Sequence, residues 1–281
     1  MKKARQSLND SSAHRPSKRF GQNFLTSQGI IQRIIQSLDP KPEETIIEIG
    51  PGQGALTTPL LERGCHVVAI EFDNNLIPFL EEKFGAKENF YLVHADALNS
   101  EFCEIIRPAT KARVVANLPY NVSTAILQRL IEQRNCLDQM VLMLQREVVD
   151  RITATAGSED RGYLSVLVEA YCETEKLFDV APGSFRPAPK VWSSVVRLTP
   201  RVSIAADLRD EKLLWQIVSA GFAQRRKTIL NNLRNSPPPL QETVKNNGGA
   251  SIVLCRAEVD LQRRAETLSL EEWARIAQAV E

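Results

Sequence analysis

With 281 residues, 43% hydrophobic content and a formal net charge of +1, the chain has the length for one large domain plus a small one and enough apolar side chains for a sizeable core. No apolar run approaches membrane length and no apolar stretch opens the chain, so neither a spanning helix nor a secretory signal is expected. Five scattered cysteines (Cys65, Cys103, Cys136, Cys172, Cys255) include no C-x-x-C pair, which argues against a disulfide framework and a zinc site and for a reducing, cytoplasmic compartment.

Charge is unevenly spread. Residues 1–19 hold six Lys/Arg against Asp10, residues 20–200 hold 17 against 23 acids, and residues 201–281 hold 12 against 10. A basic arm and a mildly basic tail around an acidic middle permit a polyanionic partner. Residues 1–18 lack apolar periodicity and read as a disordered basic arm. Residues 19–25 (R-F-G-Q-N-F-L) place two aromatics around a glycine and two amides, ahead of an amphipathic helix over 27–38. They suit either a lid across a ligand pocket or packing of that helix onto a sheet.

Residues 45–49 (T-I-I-E-I) predict a buried strand, and Gly50, Gly52 and Gly54 follow at alternate positions before a helix over 55–63. Without Cβ atoms this backbone turns sharply and admits a ligand to its N–H groups. A second strand over 65–70 ends at Glu71, where a carboxylate about 20 residues past a glycine loop holds a ribose in such sheets. A helix over 74–84 and a strand over 90–95 lead to Asp96, suited to an adenine amine or to capping the next turn. A fourth strand over 113–116 runs into Asn117-Leu118-Pro119-Tyr120. There an amide oxygen and a backbone carbonyl can each accept a hydrogen of an exocyclic amine while the Tyr ring stacks on the base.

Together E-I-G-P-G-Q-G (48–54), Glu71, D-A-L (96–98) and N-L-P-Y (117–120), preceded by residues 19–25, resemble the S-adenosylmethionine-dependent ribosomal RNA adenine dimethyltransferases, most closely the small-subunit branch tied to kasugamycin sensitivity. The resemblance covers about residues 20–234, with Ala95 where that family often has Gly. It implies an α/β, Rossmann-like class I methyltransferase sheet of seven mostly parallel strands over 19–202, and a small all-helical RNA-binding domain over 203–281. It implies that Gln22, Asn23, Leu25, Gly50, Gly52, Asp96, Ala97 and Asn117 bind S-adenosylmethionine, with Glu71 on the ribose and Asp96 on the adenine. Asn117 and the Leu118-Pro119 backbone would orient the target amine, and Tyr120 would stack on the base. No metal is required.

Strands over 139–144, 176–180 and 191–198 complete the sheet, with helices over 147–154 and 164–171 and a Pro-rich loop over 182–190. Phe185 in that loop suits a second stacking surface or the core. Beyond residue 202 the pattern becomes helical. Gly221 divides residues 210–234 into two helices, prolines 237–239 break the chain, and S-L-E-E (269–272) is a capping box. Arg225, Arg226 and Lys227 open the second helix; three adjacent basic residues are usually a solvated face, and the resemblance, which carries a basic element here, implies phosphate contacts.

The expected activity is transfer of two methyl groups to the N6 amine of each of two adjacent adenosines near the 3′ end of small-subunit ribosomal RNA, within an immature subunit and by a monomer. The competing readings are a large-subunit, erythromycin-resistance-type methyltransferase and a non-catalytic RNA-binding assembly or transcription factor. Leu118 and the near-neutral charge argue against the first, and intact Asn117, Tyr120 and Glu71 against the second. A nicotinamide dehydrogenase is disfavoured because the loop lacks G-x-G-x-x-G.

Overall fold

A computed structural model of the chain describes residues 22–206 and 210–280. The basic arm over 1–18, and Arg19, Phe20 and Gly21 of the segment over 19–25, lie outside the described residues. The first element is a two-residue strand, β1 (Phe24–Leu25). It is followed by α1 (Gln28–Leu38), whose Ile31, Ile34, Ile35 and Leu38 form the buried stripe. Burial of each such side chain is worth about 1.5–3 kcal/mol. The helix stops at Asp39, which takes a left-handed conformation (φ 47°) and returns its N–H to the Ile35 carbonyl.

Alternating units follow: β2 (Thr45–Ile49), α2 (Thr57–Glu62), β3 (His66–Glu71), α3 (Ile77–Phe84), β4 (Phe90–His94), α4 (Phe102–Ile105), β5 (Ala112–Asn117), α5 (Ser123–Glu132), β6 (Leu137–Gln145), α6 (Arg146–Ile152) and α7 (Tyr163–Tyr171). The sheet then closes with β7 (Cys172–Val180) and β9 (Ser193–Pro200), between which β8 (Phe185–Arg186) leaves the sheet to pair antiparallel with β1. Seven strands run in the order β4-β3-β2-β5-β6-β9-β7. The first five are parallel, and β9 alone is reversed, antiparallel to both β6 and β7. Strands rich in Val and Ile suit this arrangement, because helices cover both faces. One face packs through Ile47, Val114, Leu142 and Val196, the other through Ile46, Val67, Val115 and Val195. The expected sheet is the observed one, with strand limits shifted by at most four residues.

After β9 the chain is helical: α8 (Glu211–Gly221), α9 (Ile229–Arg234), α10 (Pro238–Asn246), α11 (Ala250–Arg256) and α12 (Leu270–Gln278). Gly221 closes α8 as expected, and for a packing reason: a Cβ there would lie 2.3 Å from the Trp273 ring. The capping box forms, with Ser269 N donating to Glu272 Oε2 at 2.8 Å and Glu272 N to Ser269 Oγ at 3.3 Å. These helices share one apolar cluster with α5 and α7.

Three expectations are corrected. Prolines 237–239 start a helix rather than only breaking the chain, since a proline in the first turn loses no hydrogen bond. Arg225, Arg226 and Lys227 lie in the turn before α9, whose N-cap is Thr228. The Arg225 guanidinium is spent on the carbonyls of Glu159 and Arg161, while Arg226 and Lys227 are exposed. Arg161 itself is fully buried, donating to Glu169 Oε2 at 2.5 Å and to the Ala154 carbonyl at 2.9 Å. Third, Cys103 and Cys136 form a disulfide with Cα atoms 5.5 Å apart, and Cys65, Cys172 and Cys255 are free. Sequence spacing cannot foresee that pairing, because the fold brings α4 against the turn that precedes β6.

Candidate active site

The carboxyl ends of β2, β3, β4 and β5 open into one cavity of about 290 Å³. The glycine loop forms its floor. Gly50, Gly52 and Gly54 all have positive φ (66°, 58° and 79°), a region costly for residues with a Cβ. The Phe24 ring lies against Gly52, where a Cβ would come within 3.0 Å of it, so the loop and the N-terminal segment meet at a spot only glycine fits.

Glu71 ends β3 and is 7% exposed. Its Oε1 accepts from Phe72 N (2.9 Å) and Asp73 N (2.8 Å), and Oε2 from Gly52 N at 3.4 Å. Burial pushes this carboxyl up, and the three backbone donors oppose the rise. Behind the loop Glu48 is 1% exposed and accepts from Thr57 Oγ1 at 2.6 Å. Burial pushes it up to about 7. Asp96 caps its own turn, accepting from Leu98 N at 2.9 Å and from Asn99 Nδ2 at 3.2 Å, and still borders the cavity.

On the far side, Asn117 ends β5 and its Nδ2 donates to the Asn23 carbonyl at 3.0 Å, which leaves the amide oxygen as an acceptor. The Pro119 carbonyl accepts from Val122 N at 3.2 Å, so the Leu118 carbonyl is the better placed of the two to serve a ligand. The Leu118 side chain is 1% exposed and belongs to the core. Tyr120 is fixed through its hydroxyl, 2.7 Å from Ser193 Oγ, and burial raises its phenol against the lowering effect of that hydrogen bond.

Gln22, Asn23, Gly50, Gly52, Glu71, Asp96, Ala97 and residues 117–120 are thus brought to one cavity. Leu25 and Phe185 are not. They pair across β1 and β8 and are buried at 6% and 3%, with Met143 and Val195 in the same cluster. Strand alternation turns Phe24 to the cavity in place of Leu25, and Phe185 takes the core position that was one of its two readings. Phe24, one of the two aromatics that suit a lid or helix packing, borders the cavity, whereas sequence reasoning missed Phe72, Asp73 and Ser193. Asp73 accepts from Gln22 Nε2 at 2.7 Å and from Asn75 N at 3.0 Å. Its D-x-N spacing is a readable turn signal.

A glycine loop, a strand-end carboxylate and an Asn-Leu-Pro-Tyr turn around one cavity are the features the family resemblance rests on, and the profile of ribosomal RNA adenine dimethylases matches residues 13–276. The chain belongs to the ribosomal RNA adenine dimethylase family. Relatives in this family include the ribosomal RNA small subunit methyltransferase A of Hahella chejuensis, 42% identical over 97% of this chain and 95% of that protein. The enzyme of the same name from Pseudomonas aeruginosa is 44% identical over 94% of each. Among solved structures, the 23S rRNA methyltransferase ErmE is similar at TM-score 0.67 and 26% identity, covering 92% of this chain and 99% of that one. A dimethyladenosine transferase from Plasmodium falciparum aligns at TM-score 0.71 and 24% identity, over 90% and 95%. It shares the fold.

Proposed function

We propose that this dimethylase moves methyl groups from S-adenosylmethionine to the N6 amine of two adjacent adenosines near the 3′ end of small-subunit ribosomal RNA, within an immature subunit. The observation that carries the reading is the single cavity shared by the glycine loop, Glu71 and the turn over 117–120. The cavity fits the cofactor: Glu71 suits the ribose hydroxyls, Asp96 and Ala97 border the place for its adenine, and Gly50 and Gly52 admit its methionine part. When bound, the cofactor's sulfonium supplies an activated methyl group.

The rest is the work of this chain's residues. An adenine amine is a weak nucleophile because its lone pair is delocalised into the ring. The Asn117 amide oxygen and the Leu118 carbonyl, each accepting one amine hydrogen, favour the pyramidal form in which that pair is free. Tyr120, held by Ser193, presents its ring as a stacking surface for the extruded base and offsets part of a flipping cost of a few kcal/mol. Alignment of this kind can supply on the order of 7–11 kcal/mol of the acceleration. Arg226 and Lys227 are proposed phosphate contacts, and the chain is proposed to act as a cytoplasmic monomer.

The small-subunit choice is supported by the names of the relatives. It is tested by incubating the protein and labelled S-adenosylmethionine with immature small and large subunits separately. Label in the small-subunit RNA, as dimethyladenosine, is expected. Label only in the large subunit would refute the choice.

A further inference from the structure

Beside the cleft stands an aromatic side chain that the proposed chemistry does not use. Trp192 is 44% exposed. Its carbonyl accepts from Arg146 N at 2.9 Å, one step past the Gln145 and Ser193 pair that ends the β6–β9 ladder. The Arg146 guanidinium carbon lies 5.8 Å from the centre of the indole ring. The next residue, Ser193, holds the Tyr120 hydroxyl. Successive side chains of an extended chain alternate faces, so Ser193 turns toward Tyr120 and Trp192 toward the flank beside α6. Only β6 separates β9 from the strand that carries Asn117, a distance of about 10 Å.

The surrounding cations are available. Arg146, Arg186 and Lys190 are exposed. Among the described residues none of the three makes an ion pair, and the neighbouring carboxylates Asp150 and Asp179 are held by Lys176 at 2.8 and 3.0 Å. Arg186 stands opposite Phe24, on the rim of the cleft. An exposed indole backed by a guanidinium, with Arg186 and Lys190 in the preceding segment making no ion pair among the described residues, has the chemistry of a stacking platform for single-stranded nucleic acid.

We infer that Trp192 and Arg146 form a seat for the unpaired nucleobase next to the target adenosine, with Arg186 and Lys190 meeting the adjoining phosphates. The inference rests on the function proposed above. Extruding one adenosine strips its neighbour of a stacking partner, and the indole face replaces that partner. Where two targets are adjacent, the seat holds one while the other occupies the cleft.

The test measures kcat/KM of the full chain on immature small subunits from cells lacking the endogenous dimethylase, for wild type, Trp192→Leu, Trp192→Phe and Arg146→Gln. Cofactor affinity by calorimetry and unfolding curves are recorded for each. Loss of one stacked base predicts a fall of about tenfold or more in kcat/KM for Trp192→Leu. Trp192→Phe should stay within about threefold of wild type, and cofactor affinity should be unchanged in both. Arg146→Gln, which removes the cation behind the indole, should lower kcat/KM by about two- to fivefold; a loss equal to that of Trp192→Leu would overturn its supporting role. Equal losses in Trp192→Leu and Trp192→Phe would overturn the inference, since an aromatic face would then not matter. A wild type active on small subunits and matched by Trp192→Leu would overturn it alone. A wild type inactive on them would overturn the proposed function as well.

Discussion

Glu48 offers a quantitative check on how the glycine loop is supported. Its carboxyl is 1% exposed, has the Thr57 hydroxyl as its hydrogen-bond donor at 2.6 Å, and is pushed by burial from an ordinary 4.5 up to about 7. A carboxyl whose folded value lies above its unfolded one keeps its proton longer in the folded state. Its contribution to stability is therefore complete below about pH 4.5 and is lost as pH rises through 7. At about 1.36 kcal/mol per pH unit the loss is about 3 kcal/mol. Glu48→Gln keeps an acceptor for Thr57 and removes the titration. Urea unfolding at pH 5, 6, 7 and 8 should give a wild type that loses about 2.5 kcal/mol more across the range than the variant, part of the loss lying below pH 5; the variant becomes the more stable protein above neutrality. Parallel pH profiles for the two proteins would refute the reasoning.

Asn117→Ala should lower methyl transfer on the order of 100-fold or more with calorimetric cofactor affinity nearly unchanged; near-normal turnover would mean that the amine is oriented by another group. Arg226→Ala with Lys227→Ala should reduce the slope of RNA affinity against salt by about two contacts. Arg225→Ala should leave that slope alone and lower stability, because its guanidinium is spent on the Glu159 and Arg161 carbonyls. Gly54→Ala forces a Cβ to within 2.4 Å of the Phe84 ring at φ 79°, and should cost about 1–3 kcal/mol in backbone strain alone, read by urea unfolding. Alkylation of the unfolded, unreduced chain should label Cys65, Cys172 and Cys255 only. Reduction of the bridge, which spans 33 positions, should cost about 3–4 kcal/mol of stability by loop-closure entropy.

The five parallel strands and the residues at their tips were legible because buried strands write continuous Ile and Val runs and glycines mark where the chain must turn. Glu71, Asn117 and Tyr120 stand at strand ends that local pattern alone could locate. What escaped depended on pairings between distant segments. The β1–β8 ribbon decides that Phe24 rather than Leu25 faces the cavity and sends Phe185 inward, and neither residue carries that information locally. Ser193 meets Tyr120 through the register of β9 on β6, set 73 residues from its partner. Prolines 237–239 were read as a stop because the same residue that ends a helix internally is welcome in its first turn. The cysteine spacing concealed the bridge for the same reason, since α4 and the turn before β6 approach only in the folded chain.

Arg161 sits without solvent contact between α6 and α7, tied to Glu169 and Ala154 by its side chain and to Arg225 by its carbonyl. That clasp fastens the turn carrying Arg226 and Lys227 to the helix that begins beside the cleft. The proposed phosphate contacts and the cavity are therefore linked through the fold. On the function proposed above, an RNA gripped at Arg226 and Lys227 would present at the cavity whichever nucleotide lies a set span away, and the choice of adenosine would become a matter of measured length as well as of the base itself.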